Sequence, residues 1–166
     1  MGAVVILIAI GANLPGPGGD APLAVCQAAA AALDALPGLR LRGLSRWYLT
    51  APIPASDQPD YVNAVVHLQG SADPASLLAT MLEIETRAGR QRGERDAARK
   101  LDLDLIDIDG LLRAAPDPVL PHPRAHERGF VLRPLRDVAP TWVHPALHRT
   151  VDALIGALPP QRVRAL

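Results

Sequence analysis

Hydrophobic and polar positions follow two periods along this chain, one typical of strands and one typical of helices. Uninterrupted apolar residues at 4–10 indicate a buried strand. Apolar positions three and four apart after Asp73-Pro74 indicate an amphipathic helix. The full series of predicted elements is a strand through about Ile10, a helix from an Asp20 cap to Leu36, a strand over 39–50, a strand over 61–68, a helix from Pro74 to Gly89, a strand over 101–108, a short helical stretch after Phe130 and a last helix near 147–158.

The first 108 residues therefore follow the order β-α-β-β-α-β. That order is the split βαβ, or ferredoxin-like, arrangement, in which one sheet carries two helices on a face. We predict an α+β fold with a ferredoxin-like βαββαβ core, one sheet flanked by helices, and a C-terminal helical extension. No linker-like segment divides the 166 residues, so we expect a single domain over 1–166.

Charge and cysteine content narrow the class of protein. Seventeen basic and seventeen acidic residues cancel, so no overall field directs the chain to nucleic acid or to a membrane surface. The apolar start lacks the basic flank of a signal peptide, and no segment approaches the ~18 apolar residues of a membrane span. Cys26 is the only cysteine, which is typical of a reducing compartment. We expect a cytoplasmic monomer with neither nucleic acid nor membrane as a partner.

The strand over 61–68 carries a polar pair on one face. Alternate side chains of a strand face opposite sides of the sheet. One side is an apolar stripe of Val62, Ala64, Val66 and Leu68. Tyr61 and Asn63 face the other side, where an aromatic ring beside an amide suits a flat heterocycle with an amide-like edge. A solvent-facing strand end explains the same two residues, so the pair alone leaves both interpretations open.

The strand over 101–108 carries two carboxylates, Asp102 and Asp104, on one face, with their Cα atoms ~6.5 Å apart. Neighbouring carboxylates repel each other, and Mg²⁺ relieves that repulsion, usually taking one or two carboxylates together with phosphate oxygens. The same face continues to Ile106 and Ile108, which places the carboxylates beside an apolar surface. An exposed acidic strand is the alternative. We expect two further acidic residues at the surface: Asp107 and Asp109.

A basic run precedes the two carboxylates. It contains Arg87, Arg90, Arg92, Arg95, Arg99 and Lys100. Arginine binds phosphate oxygens with two parallel hydrogen bonds, so this junction suits a magnesium-bound polyphosphate. His122, between two prolines, can donate to a phosphate. Glu85 lies on the apolar face of its helix, where it either serves the site or accepts from a loop backbone. The histidines lack metal-ligand spacing, and the chain has neither a P-loop nor a Rossmann glycine motif.

Short blocks follow one another in a characteristic order along nearly the whole chain. The most specific is the run from Asp57 to Ala64, DQPDYVNA. The others are Gly11-Ala12-Asn13-Leu14, Tyr48 and Thr50 with Pro52, Glu85 with Gly89-Arg90, Arg99 ahead of Leu101-Asp102-Leu103-Asp104, Pro121-His122-Pro123-Arg124, and Glu127 to Leu132 with Pro134-Leu135. Together they resemble the 6-hydroxymethyl-7,8-dihydropterin pyrophosphokinases of folate biosynthesis, whose DQPxYxNA signature the first block matches.

The resemblance implies a transferase that moves a pyrophosphoryl group from ATP to the hydroxymethyl oxygen of the pterin and releases AMP. It implies two Mg²⁺ ions held by Asp102 and Asp104, and a pterin stacked between Tyr61 and Phe130. The pterin would also bind Asn63 and the backbone near Thr50, Ala51 and Ile53. ATP would be surrounded by Glu85, Arg90, Arg92, Arg95, Arg99, Leu105, His122 and Arg128. Arg90 and Arg99 are the expected catalytic residues, neutralising charge on the transferred group.

One segment departs from the family pattern. The family commonly has Arg-Trp-Gly-Pro-Arg ahead of the carboxylate strand, and this chain has Arg95-Asp96-Ala97-Ala98-Arg99. Two other function classes remain open at this point. A metal-dependent phosphohydrolase would use Asp102 and Asp104 with water as the acceptor. A noncatalytic module would bind pterin or nucleotide without transfer.

Overall fold

The computed structural model describes residues 3–89 and 100–166. The helices and strands of this part of the chain are, in order, β1 (Val4–Ala12), α1 (Pro22–Asp34), β2 (Leu39–Leu44), β3 (Tyr48–Thr50), β4 (Tyr61–Gly70), α2 (Pro74–Arg87), β5 (Asp102–Ile108), α3 (Gly129–Val138), α4 (Val151–Gly156) and β6 (Val163–Ala165), with 3₁₀ turns at Pro17–Gly19 and Ala125–Glu127. No helix among these residues combines the length and the apolar content needed to cross a membrane.

One antiparallel sheet joins the strands in the order β5-β1-β4-β3-β6, and β2 pairs with the far half of β4. The long central strands β1 and β4 pair over their whole length, from Val4 opposite Gly70 to Ala12 opposite Val62. The prediction of an α+β fold with one sheet flanked by helices is confirmed. Strand β6 was not predicted, because three residues carry no periodicity of their own.

Each face of the sheet packs a separate apolar core. On the first face α1 and α2 cover the sheet with side chains such as Cys26, Leu33 and Met81, which lie over Ile8, Ile10, Val62, Val66, Leu103 and Leu105. On the second face α3 and α4 cover it, and their core residues are Leu7, Ala9, Val65, Ile106, Val131, Leu132, Leu135, Val151 and Leu154. The second face therefore carries an apolar cover over only part of its length.

Two predicted boundaries were wrong at the start of the fold. The N-cap of α1 is Ala21, not Asp20, because Pro22 takes the first helical position and no side chain caps this end. The predicted strand over 39–50 is two strands. Leu44 lies opposite Val66 and Tyr48 opposite Asn63, so the segment between them has one residue more than β4 and the ladder breaks there.

A bulge in β5 overturns two predicted orientations. Leu105 pairs with Ile8 but Asp107 pairs with Leu7, so Ile106 is an extra residue. Asp107 consequently joins Ile106 on the second face, where it is 5% exposed and accepts hydrogen bonds from Trp142 Nε1 (2.9 Å) and Gly110 N (3.1 Å). Ile108 turns to the first core. Asp107 is therefore buried rather than at the surface, whereas Asp109 is exposed as expected.

One helical prediction also differs from the structure, and another is confirmed. The last helix, α4, covers Val151–Gly156 rather than 147–158. It begins at Thr150, whose hydroxyl accepts from Ala153 N at 3.1 Å. The Asp73 cap of α2 is confirmed, since its carboxylate accepts from Ser76 N at 3.0 Å.

Candidate active site

The uncovered end of the second face opens into a cavity of about 400 Å³. Its walls come from β1, β3, β4, β5, the loop between β3 and β4, the segment from His122 to the start of α3, and Gln161. The predicted site residues that line it are Thr50, Ala51, Ile53, Tyr61, Asn63, Asp102, Asp104, His122, Arg128 and Phe130. The structure thus brings the predicted pterin residues and the predicted metal residues into one cavity.

Strand register places the two ends of this cavity side by side. Gly11 of β1 lies opposite Asp102 of β5 on one side and opposite Asn63 of β4 on the other. Directly opposed residues in antiparallel strands share a face. Adjacent strands are ~4.8 Å apart, so the Cα atoms of Asp102 and Asn63 are separated by about 10 Å. The carboxylate end and the amide end therefore flank a single glycine.

The amide end is built from buried, hydrogen-bonded side chains. Asn63 is 6% exposed and donates from Nδ2 to Thr50 Oγ1 at 2.9 Å. Gln58 Oε1 accepts from Asn13 Nδ2 at 3.1 Å and from Tyr61 Oη at 3.3 Å. These bonds hold the ring of Tyr61 and the loop before β4 against the end of β1.

At the carboxylate end, an imidazole and a guanidinium lie near the carboxylate of Asp104. His122 Nε2 lies 3.7 Å from Asp104 Oδ1, and Arg128 Nη1 lies 3.6 Å from Asp104 Oδ2. His122 Nδ1 accepts from Arg124 N at 3.1 Å. Because Nδ1 is an acceptor, the ring carries its proton on Nε2, the nitrogen that faces the carboxylate.

The start of α3 brings an aromatic ring and a guanidinium to the cavity. Phe130 is in its first turn, and Arg128 lies over the Phe130 ring at 5.6 Å. Gln161, just before β6, accepts from Gly129 N at 2.8 Å and donates to the Glu127 carbonyl at 3.3 Å. The C-terminal segment thereby caps the first residue of α3.

Two predicted ATP residues do not line the cavity. Glu85 is 2% exposed, and its Oε1 accepts from Leu103 N at 2.8 Å, so its carboxylate ties α2 to β5. Leu105 points into the first core. Arg90, Arg92, Arg95 and Arg99 lie outside the described residues, and their predicted contacts with ATP stay predictions.

Sequence reasoning did not assign several residues that line the cavity: Gly11, Ser56, Gln58, Arg124, Glu127 and Gln161. Gly11, Gln58, Arg124 and Glu127 lie inside the blocks that carried the family resemblance, so a signal for them was present in the sequence. Gln161 carries no such signal, because a single glutamine that follows two prolines resembles any loop residue.

The two carboxylates fit magnesium bound together with phosphate. In the described part of the chain no group of three or more His, Cys, Asp and Glu side chains could hold a metal ion. Mg²⁺ commonly takes one or two carboxylates and completes its shell with phosphate and water oxygens. Asp104 is about 30% exposed to the cavity. Asp102 and Asp104 therefore suit an ion that arrives with a polyphosphate, and they do not suit an all-protein cage.

Comparisons with known proteins agree with this geometry. The family model described as 7,8-dihydro-6-hydroxymethylpterin-pyrophosphokinase (HPPK) matches residues 7–140. A 2-amino-4-hydroxy-6-hydroxymethyldihydropteridine pyrophosphokinase of Pseudomonas aeruginosa is 35% identical over 161 residues, covering 97% of this chain and 96% of that protein. One of the same name from Synechocystis sp. is 40% identical over 129 residues, covering 78% of this chain and 66% of that protein.

Solved structures share the fold. A crystal structure of Plasmodium falciparum HPPK-DHPS with pterin and p-hydroxybenzoate superposes with a TM-score of 0.72 at 12% identity, over 93% of this chain and 43% of that one. The chain also spans 19% of the Schizosaccharomyces pombe folic acid synthesis protein fol1, at 32% identity. Several relatives are therefore much longer than this chain.

Proposed function

This chain belongs to the 7,8-dihydro-6-hydroxymethylpterin-pyrophosphokinase family, and on that premise we propose that it transfers pyrophosphate from ATP to the hydroxymethyl group of 7,8-dihydro-6-hydroxymethylpterin. The reaction depends on Mg²⁺ and gives AMP and the pterin diphosphate, a step of folate biosynthesis. The observation that carries the proposal is the shared cavity, with an aromatic and amide platform at one end and two carboxylates at the other.

The amide end would bind the pterin. Tyr61 on β4 and Phe130 on α3 supply two aromatic faces for the heterocycle. Asn63 offers its carbonyl oxygen to the ligand, and one N–H of its Nδ2 is donated to Thr50. The backbone of 50–53 lines the same wall, and the N–H of Ala51 is already bonded to the Arg162 carbonyl at 3.2 Å. The pterin edge would therefore meet backbone groups of this wall other than the Ala51 N–H.

The carboxylate end would bind the phosphates, and Asp102 and Asp104 would hold two Mg²⁺ ions there. When bound, the ions neutralise phosphate charge and orient the phosphate chain. His122 presents its Nε2–H, and Arg128 its guanidinium, to the same spot, so both can donate to phosphate oxygens. Arg90, Arg92, Arg95 and Arg99 add charge to ATP binding, and Arg90 and Arg99 act on the transferred group.

The transfer itself joins the two ends of the cavity. The hydroxymethyl oxygen forms a bond to the β-phosphorus, the bond from that phosphorus to the oxygen of AMP breaks, and the hydroxyl proton leaves to solvent. Positioning and charge stabilisation supply most of the catalysis in such transfers. The platform orients the hydroxymethyl group, while His122 and Arg128 stabilise the phosphate oxygens.

A product assay tests the proposal against its alternatives. The purified chain is incubated with ATP, with and without MgCl₂ and with and without 7,8-dihydro-6-hydroxymethylpterin, and nucleotides are separated by chromatography. Pterin binding is measured in parallel by calorimetry. We expect AMP in equal amount to the pterin diphosphate, only when pterin and Mg²⁺ are both present. ATP consumption without pterin would identify a phosphohydrolase, and pterin binding without AMP would identify a noncatalytic module.

We further propose that residues 1–166 work as one domain and as a monomer in the cytoplasm. The cavity takes residues from both halves of the chain, from Ala9 to Gln161, which supports one domain. The short β6, with the exposed Arg164 at its centre, discourages strand pairing between copies, which supports a monomer. ATP as the co-substrate and a single thiol that is buried support the cytoplasm.

A further inference from the structure

Gly11 lies in the floor of the cavity, between the amide end and the carboxylate end. Its backbone is ordinary strand and has no positive φ, so local conformation does not require glycine there. Glycine weakens a strand interior and often marks a close approach by another group. The reason for this residue must therefore lie in the space that its missing side chain leaves.

That space is taken by the amide of Asn63. A Cβ at position 11 would lie 2.8 Å from Asn63 Oδ1, which is closer than real Cβ contacts, and 3.8 Å from Asn63 Cγ. The amide has little freedom to withdraw. Its Nδ2 is bonded to Thr50 Oγ1, and Asn63 and Thr50 are 6% and 2% exposed. A side chain at position 11 would turn the amide and break the bond to Thr50.

We propose that Gly11 is a positioning residue that acts through Asn63, keeping open the volume in which the amide oxygen meets the pterin edge. This inference rests on the proposed function, because it assigns the pterin to the amide end. The atom that must yield is the tip of a side chain rather than backbone. We therefore expect Gly11→Ala to fold, and to lose recognition of the pterin far more than stability.

A double-mutant cycle tests the coupling. The four proteins are the wild type, Gly11→Ala, Asn63→Ala and the double variant. Affinity for 7,8-dihydro-6-hydroxymethylpterin is measured by calorimetry in the presence of a non-hydrolysable MgATP analogue. We expect Gly11→Ala to weaken affinity by about tenfold or more in the wild type, the size expected for buried polar groups left badly paired, and by less than about twofold in the Asn63→Ala background.

The chain offers a matched control in Gly43 of β2. It is also a strand glycine without positive φ, but a Cβ there would meet Val138 at an ordinary 3.5 Å. Gly43→Ala should keep pterin affinity within about twofold of the wild type. In turnover, Gly11→Ala should raise the KM for pterin and leave the KM for ATP nearly unchanged. A general loss of structure would raise both.

Each outcome decides the proposal. Equal losses of affinity in the two backgrounds would show that Gly11 acts on the ligand directly, and unchanged affinity in Gly11→Ala would show that it has no role. If Gly11→Ala alone does not fold, the thermal unfolding midpoint of the double variant tests the proposal. A real clash with the Asn63 amide predicts that adding Asn63→Ala restores folding. A wild type that neither binds pterin nor forms AMP would overturn the proposed function instead. The thermal unfolding midpoints of the same four proteins would still test the steric contact between position 11 and Asn63.

Discussion

At the scale of single residues, two of the buried polar side chains near the site serve different neighbours. Asn63 is bonded to a hydroxyl beside the cavity, and Glu85 is bonded to the backbone of β5 from the other face of the sheet. A buried polar group left without a partner destabilises a protein by about 1–3 kcal/mol. Both side chains are therefore held in one orientation, and only Asn63 lines the cavity.

The carboxylate pair leads to a prediction about turnover. Asp102→Asn and Asp104→Asn should each lower pyrophosphoryl transfer by about 100-fold or more, because each removes one of few protein ligands from the ion. Circular dichroism should show an unchanged fold. Asp109→Asn is the matched control, since Asp109 is exposed just beyond the same strand, with a φ of 48° that asparagine tolerates. Transfer at the wild-type rate by both active-site variants would exclude the metal assignment.

The aromatic platform leads to a prediction about pterin affinity. Tyr61→Leu should weaken binding about tenfold, because a stacked ring contributes roughly 0.5–1.5 kcal/mol beyond its buried area. Tyr61→Phe keeps the ring and removes the hydroxyl that donates to Gln58 at 3.3 Å, so it should bind within about threefold of the wild type. Calorimetry distinguishes the two, and equal affinities for all three proteins would remove Tyr61 from the pterin site.

At the scale of elements, α3 is tied to the sheet at both ends. At the C-terminal end of α3, Asp137 accepts hydrogen bonds from Arg46 Nη2 at 3.1 Å and from Tyr48 Oη at 2.8 Å. Partial burial opposes ionisation of Asp137, but the hydrogen bonds from Arg46 and Tyr48 outweigh it and lower its pKa. At its start, Gln161 caps Gly129. These two contacts set where Phe130 and Arg128 stand over the cavity.

The contact at Asp137 predicts a pH-dependent stability. Asp137→Asn should lower the free energy of unfolding by about 1–3 kcal/mol at pH 7. The folded-state pKa lies below the usual value of 3.8, so the contribution is complete above that value and is lost as the pH falls below it. Urea unfolding of the wild type and Asp137→Asn should show a smaller difference in the free energy of unfolding at pH 3 than at pH 7. Asp152→Asn, which breaks an exposed pair with Arg136, should cost less than about 1 kcal/mol. A difference that is the same at both pH values would contradict the assignment.

The cap at Gln161 predicts an effect on the site that acts through the start of α3. Gln161→Ala should leave the Gly129 N–H without its partner and loosen the start of α3. We expect faster hydrogen exchange there and pterin affinity reduced about fivefold. Gln69→Ala removes a glutamine that accepts an exposed side-chain hydrogen bond at the opposite end of the sheet, from Arg42 Nε at 2.8 Å, and should leave affinity unchanged. Unaltered exchange at the start of α3 in Gln161→Ala would contradict the capping role.

Local pattern predicted most elements but not the ones that depend on pairing. The long runs at 4–10 and 61–68 have enough periodicity to be recognised alone, and both face the cores as expected. The bulge at Ile106 is set by β1 opposite, so alternation alone assigned Asp107 to the wrong face. In the site, Tyr61, Asn63, Asp102 and Asp104 followed from alternation. Gln161 is bonded to a residue 32 positions away, and no local pattern encodes such a contact.

At the scale of the whole molecule, the cavity depends on nearly the entire chain, because its residues range from Ala9 to Gln161. Unfolding separates them all, so a bound ligand must stabilise the complete fold. Pterin with a MgATP analogue, at about 100 times the dissociation constant, should add about 2.7 kcal/mol. For a protein of this size that corresponds to a thermal midpoint raised by about 5–10 °C. Scanning calorimetry with each ligand alone is the control. Binding with no rise in the midpoint would show that the ligand holds only a local segment.

Strand β6 also covers an edge of the sheet to which another strand could add. An open strand edge offers unpaired N–H and C=O groups to any neighbouring chain and so promotes aggregation. β6 occupies that edge of β3, pairing Ala165 with Tyr48 and Val163 with Thr50. It is only three residues long and carries an exposed arginine, Arg164, at its centre, both of which discourage further strand addition. The segment that helps to complete the cavity thus also covers the edge of β3 that another strand could otherwise join.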